Sequence, residues 1–198
     1  MRRGRRPGPS GEALGRGARL GTRVGRSAGL SDVPAALSAG PAIAVVGSGT
    51  AHARTDTAAE TVGRLLAEAG AVLVCGGLGG VMAAACRGAV GAGGLTVGIL
   101  PGDQRAEANP WVGLVIPTGL GELRNGLVVR CAQALVAIGG EYGTLSEVAL
   151  ALKAGRPVVG LDTWELRRPN GSVDDGIVLA ASPEDAVRRA LGLAAGGR

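Results

Sequence analysis

The chain has 198 residues, enough for one domain with a sizeable core, and 46% of them are hydrophobic, yet Phe is absent and the aromatics are two Trp and one Tyr. Val, Leu, Ile and Ala must therefore fill the interior. The formal charge of +5 suggests nucleic acid only until it is divided by region: residues 1–40 hold eight Arg against Glu12 and Asp32, a net +6, and the remaining 13 basic and 14 acidic residues leave −1. A near-neutral body offers no general basic footprint for DNA or RNA and speaks against a DNA-processing role.

Residues 1–40 combine Gly and Arg with few apolar side chains, a composition that cannot offset the entropy of folding, and they are expected to be a disordered Arg/Gly-rich tail. The Arg2, Arg3, Arg5 and Arg6 cluster is not followed by an apolar segment, so an export signal is not expected; a transit peptide, a solvated tail and an over-called start all fit it. No apolar stretch reaches the roughly 18 residues of a membrane span. Cys75, Cys86 and Cys131 form an odd set without CxxC spacing, which argues against a disulfide framework or a metal site and for a reducing, cytoplasmic setting.

From Pro41 onward, in residues 41–198, short apolar runs alternate with amphipathic segments. Strands are expected at Ile43–Val46, Ala71–Cys75, Thr96–Leu100, Val112–Ile116, Ala134–Ile138, Val158–Leu161 and Ile177–Ala180. Each run is continuously apolar and rich in Val and Ile, as strands covered on both faces are. Helices are expected at Thr57–Ala69, Val81–Val90, Glu122–Ala132, Thr144–Ala154 and Ser182–Leu193, while Pro101–Trp111 is too polar and turn-prone for one. This alternation predicts a single α/β domain, a Rossmann-like doubly wound, mostly parallel sheet with helices on both faces. In such sheets ligands sit beyond the carboxyl ends of the strands.

Three glycine-rich turns occupy that position. Gly47, Ser48 and Gly49 follow the first strand; Gly76, Gly77, Gly79 and Gly80 follow the second; Gly139, Gly140, Gly143 and Thr144 follow the fifth. Glycine lets the backbone approach a ligand closely, and the last turn feeds a helix start, where free amides and the helix dipole favour an anion. Together they predict a phosphate-bearing, nucleotide-sized ligand. The spacing is not the dinucleotide fingerprint: the first turn lacks its third glycine, and Cys75 stands where an acidic residue would close the second strand, which disfavours NAD. Ser48 and Thr118 are candidate donors to phosphate or ribose, and equally candidate turn caps; His52, the sole histidine, reads as a solvated loop residue.

Thr144-Leu-Ser-Glu147 also fits a capping box, as do Thr57–Glu60 and, nearly, Ser182–Asp185. On spacing alone Glu147 is a cap and Arg124 a surface residue in the first turn of its helix.

Resemblance changes that reading. GGEYGTLSE at 139–147 resembles the PGGxGTxxE signature of the LONELY GUY (LOG) phosphoribohydrolases, also labelled lysine decarboxylase-like, and Arg124 stands in register with the Arg that family members place before it. VVGSG at 45–49, GGLGGVM at 76–82, GILPGDQRAEANP at 98–110 and IPTGLGELRN at 116–125, which contains Thr118, Arg124 and Asn125, extend the likeness to the molybdenum cofactor carrier-like branch, over roughly residues 41–165. The resemblance implies a Rossmann-like homodimer or homotetramer that needs no resident cofactor and binds a small phosphate-bearing molecule, a nucleotide or the molybdenum cofactor. In a carrier or sensor the pocket only holds that ligand. In a hydrolase, Arg124 and Glu147 would be catalytic, flanking the ribose of a nucleoside 5′-monophosphate while its N-glycosidic bond breaks. Two departures favour the carrier: Gly139 replaces the motif's proline, and Glu141 replaces its glycine, setting a carboxylate in a loop meant for phosphate. Decarboxylation on pyridoxal phosphate is disfavoured because the one lysine, Lys153, lies near the end of its helix.

Overall fold

The computed structural model describes residues 40–50 and 52–196, with Met1 and Gly4, so the expectation for the 1–40 tail lies almost wholly outside the described residues. The sheet consists of β1 (Ala42–Gly47), β2 (Val72–Cys75), β3 (Thr96–Leu100), β4 (Leu114–Pro117), β5 (Ala134–Ile138), β6 (Val158–Leu161) and β7 (Ile177–Leu179). All neighbours pair in parallel, in the order β4-β3-β2-β1-β5-β6-β7. The helices are α1 (Ala53–Glu68), α2 (Gly80–Gly91), α3 (Asn125–Arg130), α4 (Tyr142–Lys153) and α5 (Pro183–Gly196).

Alternate side chains of each strand serve opposite faces. Ile43, Val45, Leu73, Val136 and Ile138 pack with α1, α2 and α5, whereas Ala44, Val46, Val74, Leu135 and Ala137 pack with α3 and α4. The predicted doubly wound sheet is thus present, with its aliphatic core split into two layers. On α1 the buried stripe is Ala59, Val62, Gly63 and Leu66, an i, i+3, i+4, i+7 pattern. The stripe on α4 has the same spacing, Thr144, Glu147, Val148 and Ala151, but includes a carboxylate.

Some elements differ from the sequence reading. The fourth strand runs over Leu114–Pro117 rather than from Val112, because Thr96 at the base of β3 takes a hydrogen bond from Gly113 and donates to the Trp111 carbonyl, holding that corner as a turn. The segment expected as one helix from Glu122 begins as a 3-10 turn at Gly121–Arg124 before α3. Two of the three capping boxes do not form. Helix α1 starts four residues before Thr57, whose hydroxyl donates instead to the Ala53 carbonyl, and Glu60 pairs with Arg87. Helix α4 starts two residues before Thr144. Only Ser182 caps as its spacing predicts, accepting from the Asp185 amide while Asp185 reaches back to the Ala181 amide.

The strand order reverses between β1 and β5, and their register sets Gly47 beside Ile138. The turns after these two strands therefore emerge side by side, and a crevice at such a switch point is where open α/β sheets bind ligands.

Candidate functional site

A cleft of about 170 Å³ opens at the switch point, lined by Gly47, Gly49, Leu78, Met82, Arg124, Asn125, Gly143, Thr144 and Glu147. Seven of these were candidates from the sequence. Gly143 and Thr144 belong to the first turn of α4, whose leading amides have no partner within the helix and carry its positive dipole end. Gly140, at φ 119°, turns the chain from β5 into that helix in a conformation that side-chain-bearing residues rarely adopt, and Thr144 packs where its Cβ would be.

Arg124 and Glu147 meet in the cleft. Arg124 is 8% exposed and Glu147 6%. Arg124 Nη1 donates to Asn125 Oδ1 at 2.6 Å and to Glu147 Oε1 at 3.3 Å. Asn125 is itself fixed by donating to Ser146 Oγ. The guanidinium lies against Gly76, where a Cβ would come within 2.5 Å of Nη2, so the second glycine turn is a seat for Arg124. Its Nε is buried and has no acceptor among the described residues. Burial pushes the Glu147 carboxyl up to about 7 against the opposing pull of Arg124. The side chain that spacing read as a cap is thus a buried partner of Arg124.

The remaining candidates take other places. Ser48 Oγ donates to Glu141 Oε1 at 2.9 Å and accepts from the Thr50 amide. This bond latches the first and third glycine turns together and draws the Glu141 carboxylate toward Ser48. Gly77 and its neighbour Leu78 offer carbonyls to Asn109 Nδ2, which ties the Pro101–Trp111 connection to the second glycine turn. Gly79 precedes α2 and Gly80 opens it, its Cβ position lying 2.2 Å from the Ser48 carbonyl, so the first two turns pack backbone to backbone. Gly139 and Gly140 line an adjoining pocket rather than this cleft. Thr118 is not among the cleft residues: its hydroxyl donates to the Leu100 carbonyl and accepts from the Leu120 amide, the turn-capping alternative. Leu78 and Met82 were not anticipated, since an apolar residue beside a glycine turn reads alike whether it faces core or ligand. Cys75, at the end of β2, and Cys86 of α2 are buried as free thiols 3.5 Å apart.

A family model matches residues 41–187, described as the SLOG cluster4 family. The chain belongs to the SLOG cluster4 family. Among proteins similar to this SLOG chain is an uncharacterised protein of Archaeoglobus fulgidus, 42% identical over 145 residues, covering 73% of this chain and 91% of the relative. The molybdenum cofactor binding protein of Rippkaea orientalis is similar at 36% identity and a TM-score of 0.68, over 76% of this chain and 94% of that one. The molybdenum cofactor carrier protein of Chlamydomonas reinhardtii is similar at 36% identity and a TM-score of 0.67, over 79% of this chain and 99% of that one. The SLOG assignment agrees with the expected LOG superfamily and its molybdenum cofactor carrier-like branch.

The raised Glu147 carboxyl makes a sign-definite prediction. In the unfolded chain it titrates near 4.5 and in the fold near 7, so between those values the fold holds a proton that the unfolded chain has released. Its contribution to stability is complete below about 4.5 and is lost as pH rises toward 7. The stability of Glu147→Gln relative to the parent should accordingly rise across that window and then level, by up to about 3 kcal/mol. Paired urea melts at several pH values check it, and a pH-independent difference would refute the buried assignment.

Proposed function

We propose that this chain is a carrier or sensor that holds a phosphate-bearing ligand, of the molybdenum cofactor or nucleotide type, in the Arg124–Glu147 cleft. The observation that carries this reading is the cleft itself, which brings the buried Arg124 guanidinium onto the same lining as Gly143 and Thr144 of the first turn of α4. A phosphate held in the cleft would be matched by the charge of the Arg124 guanidinium, with the helix dipole adding to the attraction. The residues fit an anion in one further way: a Glu147 that protonates near neutral pH presents less charge to repel a phosphate. The two molybdenum cofactor proteins at 36% identity support that cofactor as the ligand. Gly47, Gly49, Gly143 and Thr144 would hold its phosphate with Arg124; when bound, the cofactor would supply molybdenum for transfer to another protein, and the chain itself would do no chemistry.

The reading includes a homo-oligomer in the cytoplasm, with neither nucleic acid nor membrane as partner. Leu114, Ile116, Leu120, Leu123 and Leu127, from β4 through α3, are all exposed, Leu123 at 81%, and an apolar run of this kind favours contact with a second copy. Among the described residues no helix is long and apolar enough to cross a membrane.

The phosphoribohydrolase reading also has an observation in its favour, a carboxyl titrating near 7 beside an arginine, as an acid–base group would. Incubation with adenosine, cytidine and guanosine monophosphates, followed by chromatography for free base, distinguishes the two. The expected result is little or no release, with a pterin-type fluorophore appearing on oxidation of protein purified from cells that make the molybdenum cofactor. Robust release that vanishes in Glu147→Gln would make the protein a hydrolase.

A further inference from the structure

A second pocket, of about 470 Å³, adjoins the same glycine loop and is lined by Gly139, Gly140, Asp162, Thr163, Trp164 and Glu165. Two of the chain's three aromatic side chains meet beside it. Tyr142, the first residue of α4, is 82% exposed, and its ring centroid lies 6.0 Å from that of Trp164 with 33° between the planes. The indole Nε1 of Trp164 is shielded from solvent and has no acceptor among the described residues.

The rim is held in place. Thr163 Oγ1 donates to the Gly139 carbonyl, and Asp162 is the one non-glycine residue with positive φ, 50°, among the described residues. Asp162 Oδ2 is paired with Arg54 and Glu165 Oε1 with Arg167, each at 2.7 Å.

We propose that this pocket takes a planar, amino-bearing heteroaromatic ring, the far end of the ligand whose phosphate lies on the α4 N-terminus; the inference rests on that anion site. Tyr142 and Trp164 form the stacking platform, which accepts any ring with a π-face. Carboxylates only accept hydrogen bonds, so Asp162 and Glu165 select ring N–H and amino donors. A free cation is a poorer occupant, because each carboxylate is already matched by an arginine. The volume lies within the range of small-molecule sites, whereas the Arg124–Glu147 cleft by itself is below it.

In a Trp111→Phe background Trp164 is the sole tryptophan and reports on its own pocket. Guanosine monophosphate, guanosine and adenosine should quench its emission, while ribose 5-phosphate, followed by calorimetry, should bind without quenching. Tyr142→Ala removes an exposed side chain and should weaken the ring-bearing ligands about 5- to 100-fold, leaving ribose 5-phosphate unchanged, and Tyr142→Phe should retain them. Nucleoside binding lost in Tyr142→Ala, with ribose 5-phosphate failing to bind the parent, would overturn the anion site and uphold the ring pocket. Equal affinity for guanosine monophosphate and ribose 5-phosphate, unmoved by Tyr142→Ala, would overturn the ring pocket and leave the anion site. Failure of all three ring-bearing ligands to quench Trp164 would overturn it too.

Discussion

Replacing Arg124 with Met should weaken binding of ribose 5-phosphate or guanosine monophosphate by about 10- to 100-fold, the usual loss when a hydrogen bond to a charged group is removed from a buried site. Met keeps much of the side-chain volume against Gly76 while abolishing the donor whose Nε has no acceptor within the described protein. The substitution also leaves Glu147 without its cation. A buried carboxyl in that position protonates rather than unfolding the domain, so its titration should move further above 7 while the fold survives. Arg124→Lys restores the charge without the planar fork and should recover only part of the affinity. Calorimetric titration of the three proteins measures this, and unchanged affinity in Arg124→Met would remove the cleft from the ligand.

Gly63→Ala should be among the most destabilising single-atom changes in the domain. Its Cβ would sit 1.9 Å from the Ala85 carbonyl oxygen, and Gly88 meets the Glu60 carbonyl at the same distance, so α1 and α2 touch backbone to backbone. A methyl group there forces the helices apart and strips contacts along both, at a cost of about 3 kcal/mol or more. For a domain of this size that lowers the melting temperature by roughly 10 °C. Because α2 opens directly from the Gly79–Gly80 turn, ligand affinity should fall with it. Gly192→Ala is the control: it lies in α5 with nothing within 4 Å of its Cβ position, and should stabilise by up to about 1 kcal/mol. If both substitutions behave alike, close packing is not why α1 and α2 carry glycine.

The strands and helices were largely legible because their signals are local. Ala134–Ile138 and Val158–Leu161 are continuous apolar runs and appear where expected, as does Thr96–Leu100. Capping boxes were less reliable. Thr57 and Thr144 have the right spacing, but α1 and α4 extend beyond them because the preceding residues already satisfy helical hydrogen bonds, Asp56 to His52 and Leu145 to Glu141. The burial of Glu147 was hidden for a related reason. Its place on the i, i+3, i+4, i+7 stripe of α4 is readable only once the helix start is known, and a carboxylate on such a stripe looks like an error until its partner is found 23 residues away.

By itself the sequence determined the alternation of apolar runs and amphipathic segments, the glycine turns that end β1, β2 and β5, and, through the GGEYGTLSE signature, the superfamily. These rest on neighbouring residues, whose periodicity and backbone preferences act over a few positions. Only the tertiary structure decided that β1 lies between β2 and β5, which brings Ser48 to Glu141 across 93 residues, seats Arg124 on Gly76 and pairs it with Glu147. It likewise set Trp164 against Tyr142 at the edge of the same loop. Such meetings depend on which strands pair and which helix covers which face. Whether a charged side chain ends in solvent or in the core is settled only when those surfaces close over it.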